Sequence, residues 1–157
     1  MKSLCSPALQ GILFCSHKST FKKMEIHYQV GVMPDVAKII EVYDSSGIKR
    51  PTSDAERISR MFAQSNLIIT AWDNQELVGV ARSLTDFCWC CYLSDLAVRL
   101  EYQKQGIGKK LIELTKEQIG EQTALILLAA PAAIDYYPKV GMNKIHNGFM
   151  IPRGAVA

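Results

Sequence analysis

A chain of 157 residues suits one domain and leaves little room for two, and 48% hydrophobic against 21% charged residues supports a packed core rather than disorder. No apolar run approaches the roughly 20 residues of a bilayer-spanning helix, and no period of about 20–50 residues marks a repeat array. The formal charge of +3 resides in the first 24 residues, where Lys2, Lys18, Lys22 and Lys23 stand without an acid; the other 14 basic and 15 acidic side chains nearly cancel, so charge gives no support for nucleic-acid binding.

Residues 1–23 read as an N-terminal extension, and residues 24–157 as the domain. The stretch Leu4–Cys15 is only mildly apolar and is broken by Pro7 and Gly11, unlike a secretory signal. Its serines and lack of acids fit an organelle transit peptide, although it contains no arginine; the alternative is an upstream start, with Met24 opening the domain. Five cysteines (Cys5, Cys15, Cys88, Cys90 and Cys91) are odd in number and crowded, and they do not form a disulfide framework or a zinc set. Buried, reduced thiols in a cytoplasmic protein are the expectation. No metal is indicated.

Glu25–Val30 alternates as a first strand. Pro34 and Asp35 then open a helix whose apolar residues Val36, Ile39, Ile40 and Tyr43 recur at helical spacing, with Gly47 as its stop. Ser53-Asp54-Ala55-Glu56 is a capping box at the head of a second helix striped by Ala55, Ile58, Met61 and Phe62. Leu67–Trp72 and Leu77–Leu84 form an antiparallel hairpin about a turn at Asp73-Asn74. Cys88–Val98 is apolar on both faces, as in a covered central strand. Ile107–Ile119 is helical, with Ile107, Leu111 and Leu114 on one side. Thr123–Ala130 is an apolar strand, Ala132–Lys139 a short helix, and Met142–Ile151 one or two weak strands. The order βααββ-β-α-β-α-β predicts an α/β (α+β) fold, a mixed sheet flanked by about four helices.

The sharpest local feature is the junction from Leu96-Ala97-Val98 into Gln103-Lys104-Gln105-Gly106-Ile107-Gly108-Lys109-Lys110. A buried strand runs into a glycine-containing turn at a helix start. The first amides of a helix lack intrahelical partners and lie at the positive end of its dipole, so the turn suits a phosphate. Leu111 stands where a P-loop or a dinucleotide fingerprint would need its next glycine, which excludes both. The bland alternative is a glycine-bearing helix start with surface lysines.

Leu-Ala-Val at a strand end, followed by Gln-x-x-Gly-x-Gly opening a helix, resembles the acyl-CoA signature of the GNAT superfamily of N-acetyltransferases. Downstream, Tyr136-Tyr137-Pro138-Lys139-Val140-Gly141-Met142 is similar to that family's aromatic-Tyr-x-Lys-x-Gly-aromatic segment. The two motifs and the element order together cover about residues 24–152. The resemblance implies a mostly antiparallel sheet and acetyl-CoA as co-substrate. Backbone of Leu96, Ala97 and Val98 would bind the pantetheine arm, and the turn Gln103, Lys104, Gln105, Gly106, Ile107, Gly108 and Lys109 would cradle the pyrophosphate.

It also implies transfer of the acetyl group to a primary amine by direct attack in a ternary complex. A backbone amide near Val98 would stabilise the carbonyl oxygen, and Tyr137 would serve as general acid for the departing thiolate. Asp95 is a candidate base, with an ordered water relay as its equal; strand alternation sets Asp95 opposite Ser94 and Leu96 unless a bulge intervenes. His27 and His146 qualify by residue type only. The loop Gly47-Ile48-Lys49-Arg50-Pro51-Thr52 either recognises an acidic acceptor or is a solvated basic loop, and Phe87, Trp89 and Tyr92 either shape a pocket or belong to the core. The expected acceptor is a small-molecule amine. The alternatives are a protein lysine or N-terminus, and a catalytically inactive CoA-binding module; a homodimer is compatible with a small sheet that has free edges.

Overall fold

A computed structural model describes residues 25–154, so the expectations for residues 1–23, targeting included, lie outside it. A single five-stranded sheet has the order β1-β2-β3-β4-β5: β1 (Ile26–Val30), β2 (Leu67–Asp73), β3 (Glu76–Thr85), β4 (Cys90–Val98) and β5 (Ala124–Ile126). All neighbouring pairs are antiparallel except β4 with β5, which is parallel. Helices α1 (Val36–Ser46) and α2 (Ala55–Ala63) cover one face, and α3 (Ile107–Ile119) covers the other.

Each helix is bounded by local chemistry. Asp35 caps α1 by accepting the Ala37 N–H at 2.8 Å, and Gly47 ends it at φ 79°. The cap of α2 is Asp54, accepting from the Arg57 N–H at 2.9 Å; it displaces Ser53 from the role the capping box assigned it. One core packs Ile39, Val42, Tyr43, Ile58 and Phe62 against Leu77, Val80 and Ala97. The other packs Ile107, Leu111 and Ile112 against Ile69, Val78 and Leu93. Gly79 on β3 allows α3 to approach: a Cβ there would lie 3.2 Å from Leu111 and 3.3 Å from Ile107.

Six expectations need correction. The β2–β3 turn is Asn74-Gln75, one residue later than read, with Asn74 at φ 53°. Strand β4 starts at Cys90 rather than Cys88, because the Asp86 carboxylate accepts the N–H groups of Cys88, Trp89 and Cys90 and folds them into a hairpin tip. Cys88 and Cys90 are consequently exposed; of the three described cysteines only Cys91 is buried, and all three are free. Beyond Ile126 the apolar run leaves β4. The expected fourth helix is a pair of 3-10 turns, Pro131–Ala133 and Tyr137–Val140, each with a proline lacking an amide donor at its first or second position. No strand occurs among the described residues after β5.

Candidate active site

The open edge of β4 originates in a one-residue insertion. Arg82 pairs with Asp95 and Ser83 pairs with Leu93, so Ser94 is a β-bulge. Before it, the Asp86 N–H bonds the Cys90 carbonyl at 3.2 Å, which turns the backbone groups of Cys90 and Tyr92 toward β3. After it, the Arg99 N–H bonds the Val78 carbonyl at 2.9 Å, so Asp95, Ala97 and Arg99 face β3 instead. The bulge thereby turns the N–H and C=O groups of Leu96 and Val98 away from β3. Since β5 pairs only as far as Tyr92, no strand lies opposite them. Of the three residues expected to offer backbone to a ligand, Leu96 and Val98 are so oriented, whereas the polar groups of Ala97 belong to the β3 ladder.

The turn after β4 is anchored on several sides. The Arg99 side chain donates to the Leu77 carbonyl at 2.8 Å and is ion-paired with Glu41 and Glu76. The Gln103 amide reaches the Val98 carbonyl at 2.9 Å, which ties the turn to the strand end. Gln105 similarly donates to the Glu101 carbonyl at 3.0 Å. Lys104 (φ 61°) and Gly106 (φ 85°) both adopt left-handed backbone, and Gly106 caps α3 without any side-chain bond. The first ladder bond of α3 runs from the Lys110 N–H to the Gly106 carbonyl, leaving the amides of Ile107, Gly108 and Lys109 without intrahelical partners. The side chain of Ile107 is buried in the core, so it offers the site its amide alone. Lys109 and Lys110 form ion pairs along the helix with Glu113, and Lys110 also with Glu117. A cradle of free amides beside an unpaired strand edge fits the pyrophosphate and pantetheine arm of a CoA thioester.

Tyr137 packs against the same core cluster as Leu96, Val98 and Leu127, which brings the second motif to the first. Its ring meets that of Tyr136 edge-on, with centroids 5.4 Å apart at 73°. Burial raises the pKa of both phenols, so each remains a proton donor at neutral pH. Pro138 and Gly141 set the turn around Tyr137, whose carbonyl accepts the Met142 N–H at 3.0 Å.

Asp95 is placed otherwise than a base requires. Its carboxylate is buried on the α1–α2 face, where Tyr43 donates to it at 2.8 Å and the Arg50 and Arg82 guanidiniums form ion pairs with it. Three hydrogen bonds from three side chains engage both carboxylate oxygens on that face, away from the open strand edge. The bulge also places Ser94 on the same side as Asp95: Arg82 donates to Ser94 Oγ at 2.7 Å, and Arg50 donates to the Ser94 carbonyl at 2.8 Å. Two guanidiniums and one carboxylate thus clamp the bulge. The Arg50 guanidinium is accordingly committed to Asp95 and Ser94 rather than solvated. The sequence shows Tyr43 as part of an apolar helix stripe and Arg50 as part of a basic loop, without linking either to Asp95, and Arg82 goes unnoticed in it. The available signal was Arg82 inside an apolar strand, since a buried arginine needs a buried partner. His27 lies exposed on the far edge strand β1 and His146 exposed near the C-terminus. Phe87 and Trp89 are exposed at the hairpin tip and Tyr92 on β4, none of them in the core.

Comparisons with known proteins agree with this geometry. The profile of the Acetyltransferase (GNAT) domain family matches residues 39–150. An uncharacterized N-acetyltransferase of Pyropia yezoensis, ycf52, is 28% identical over 124 residues, 72% of this chain and 70% of that protein. A protein of unknown function from meticillin-resistant Staphylococcus aureus shares the fold with a TM-score of 0.71 at 20% identity, covering 83% of this chain and all of that one. An aminoglycoside N-acetyltransferase solved in complex with CoA superposes with a TM-score of 0.64 at 10% identity, over 84% of this chain and 97% of its own. With the family profile spanning most of the domain and the fold in agreement, the chain belongs to the GNAT family of N-acetyltransferases.

Proposed function

We propose that this protein transfers the acetyl group of acetyl-CoA to a primary amine of a small molecule. One observation carries this reading. The outward-turned backbone of Leu96 and Val98 and the free amides at the start of α3 follow one another along the chain, and Tyr137 packs against the same core cluster as Leu96 and Val98, which together support this reading. Acetyl-CoA supplies an acetyl group activated as a thioester. The N–H groups of Leu96 and Val98 are the donors available to the carbonyl oxygen as negative charge grows on it. The amine must first lose its ammonium proton to expose a lone pair. Given the filled carboxylate of Asp95, water is the acceptor this geometry favours for that proton. The new C–N bond forms as the C–S bond breaks, and Tyr137 gives its proton to the departing thiolate. The CoA-bound aminoglycoside acetyltransferase of the same fold supports a small polar amine as acceptor.

The polypeptide amine has one observation in its favour. Leu84, Tyr92 and Ile126 are cross-strand neighbours, half-exposed on the face of the sheet shared with α1 and α2 but beyond their cover, and Trp89 projects nearby at 79% exposure. Such a flat apolar row suits an extended acceptor. Thermal unfolding with acetyl-CoA, CoA and ATP at matched concentrations tests the donor. A ligand at about 100 times its dissociation constant adds roughly 2.7 kcal/mol of stability. Selective stabilisation by the two CoA species is expected, and its absence overturns the assignment. Thiol release with a panel of small amines and lysine peptides then separates the two acceptor classes.

A further inference from the structure

Tyr136 has a position that aromatic packing alone does not account for. A Cβ built on Gly108 would lie 2.8 Å from the Tyr136 hydroxyl oxygen and 3.8 Å from a Val98 methyl group. The phenol therefore spans from the 3-10 turn region to the first turn of α3, at the point where β4 ends. There the hydroxyl stands against the side of Gly108, a residue whose amide has no partner within the helix. Among the described residues its hydroxyl makes no hydrogen bond with the protein. A phenol that only filled space would be served as well by phenylalanine, and the glycine beneath it would be free to carry a methyl group.

We propose that the Tyr136 hydroxyl is a ligand-binding group, donating a hydrogen bond to the phosphate oxygens of the acyl donor at the first turn of α3, with Gly108 bare to admit it. This assignment rests on the acetyl-CoA reading above. It divides the tyrosine pair by role, Tyr136 toward the phosphates and Tyr137 toward the thiolate, with their edge-on contact fixing one relative to the other. Burial raises the Tyr136 pKa, with a contribution from Tyr137, so the hydroxyl remains a donor and does not oppose the phosphate as a phenolate.

The test compares acetyl-CoA with acetyl-pantetheine, which carries the same thioester arm without pyrophosphate or nucleotide, by equilibrium titration of the full chain. A hydrogen bond to a charged group is worth about a tenfold change in affinity or more. Tyr136→Phe is expected to weaken acetyl-CoA about tenfold and to leave acetyl-pantetheine unchanged within about twofold. Gly108→Ala is expected to weaken acetyl-CoA strongly in the wild-type background and less in Tyr136→Phe, where the added methyl no longer meets a hydroxyl. Undiminished acetyl-CoA binding by Tyr136→Phe, or equal loss of both ligands, overturns the assignment while leaving the acetyl-CoA reading in place. Failure of the wild-type protein to bind either ligand overturns both.

Discussion

Replacing Asp95 separates a clamp from a base. The carboxylate is ion-paired with two guanidiniums whose side chains are 19% (Arg50) and 7% (Arg82) exposed, and it also accepts a hydrogen bond from the buried Tyr43 hydroxyl. Removing one partner of a buried ion pair strands the other charge and typically costs about 3–5 kcal/mol. Asp95→Ala should fall in that range, a large share of a stability of about 5–15 kcal/mol. At a urea m value near 2 kcal/mol/M this moves the unfolding midpoint down by roughly 2 M. Asp95→Asn retains the shape and one acceptor oxygen but removes the charge, so it should also destabilise, by less. Because the clamp holds the bulge that exposes Leu96 and Val98, acetyl-CoA affinity should fall together with stability in both variants. The decisive comparison is urea unfolding beside steady-state kinetics. An Asp95→Asn protein with wild-type stability and acetyl-CoA KM but a collapsed kcat would refute the clamp and restore Asp95 as the base.

Tyr137→Phe should lower kcat about 100-fold or more while leaving acetyl-CoA affinity level, as expected when a general acid is removed; single-turnover kinetics beside a binding titration checks this. Since burial raises the pKa of that phenol, the acid form persists through neutral pH, and the alkaline loss of kcat should begin above the ordinary tyrosine value of about 10. Gly106→Ala forces a side chain into a backbone at φ 85°, so about 1–2 kcal/mol of stability should be lost and acetyl-CoA binding weakened, read by thermal melts with and without ligand. Burial, with Asp95 adding to it, holds the Tyr43 pKa far above the ordinary phenol range. Above pH 10 the unfolded chain therefore sheds a proton that the folded chain keeps, and stability falls with rising pH by about 1.4 kcal/mol per unit. Urea midpoints from pH 9 to 11 should show this slope, reduced in Tyr43→Phe.

The elements legible in the sequence were those with strong period or clear ends. Helix α3 was read with its observed bounds, because its apolar stripe starts at a glycine turn and ends at Gly120. The β2–β3 hairpin was visible from its alternation, although its turn lay one residue from where it was read. What failed depended on contacts distant in sequence. Nothing local in Cys88-Trp89-Cys90 shows that the Asp86 carboxylate will gather their three amides and end the strand early. Asp95 was legible as a residue beside the site, but its partners lie 52, 45 and 13 positions away in the chain, on three different elements. A carboxylate in an apolar strand and an arginine in the neighbouring strand were both in plain view. Pairing them required the register.

That register also explains why one inserted residue carries so much of the site. In an uninterrupted antiparallel pair, backbone groups alternate strictly, so the edge presented at the end of β4 is determined by parity from the Asp86–Cys90 bond onward. Ser94 reverses the parity, and without it Leu96 and Val98 would bond β3 while Ala97 faced the gap. A bulge left to itself would relax toward regular pairing or shift along the strand. Here Arg82 holds the Ser94 hydroxyl from the β3 side, and Arg50, on the loop between α1 and α2, holds the Ser94 carbonyl. The α1–α2 loop and the open edge of β4 are therefore parts of one mechanical unit joined through Asp95. A change that frees Arg50 from the clamp should alter the strand edge as well as the loop that carries it.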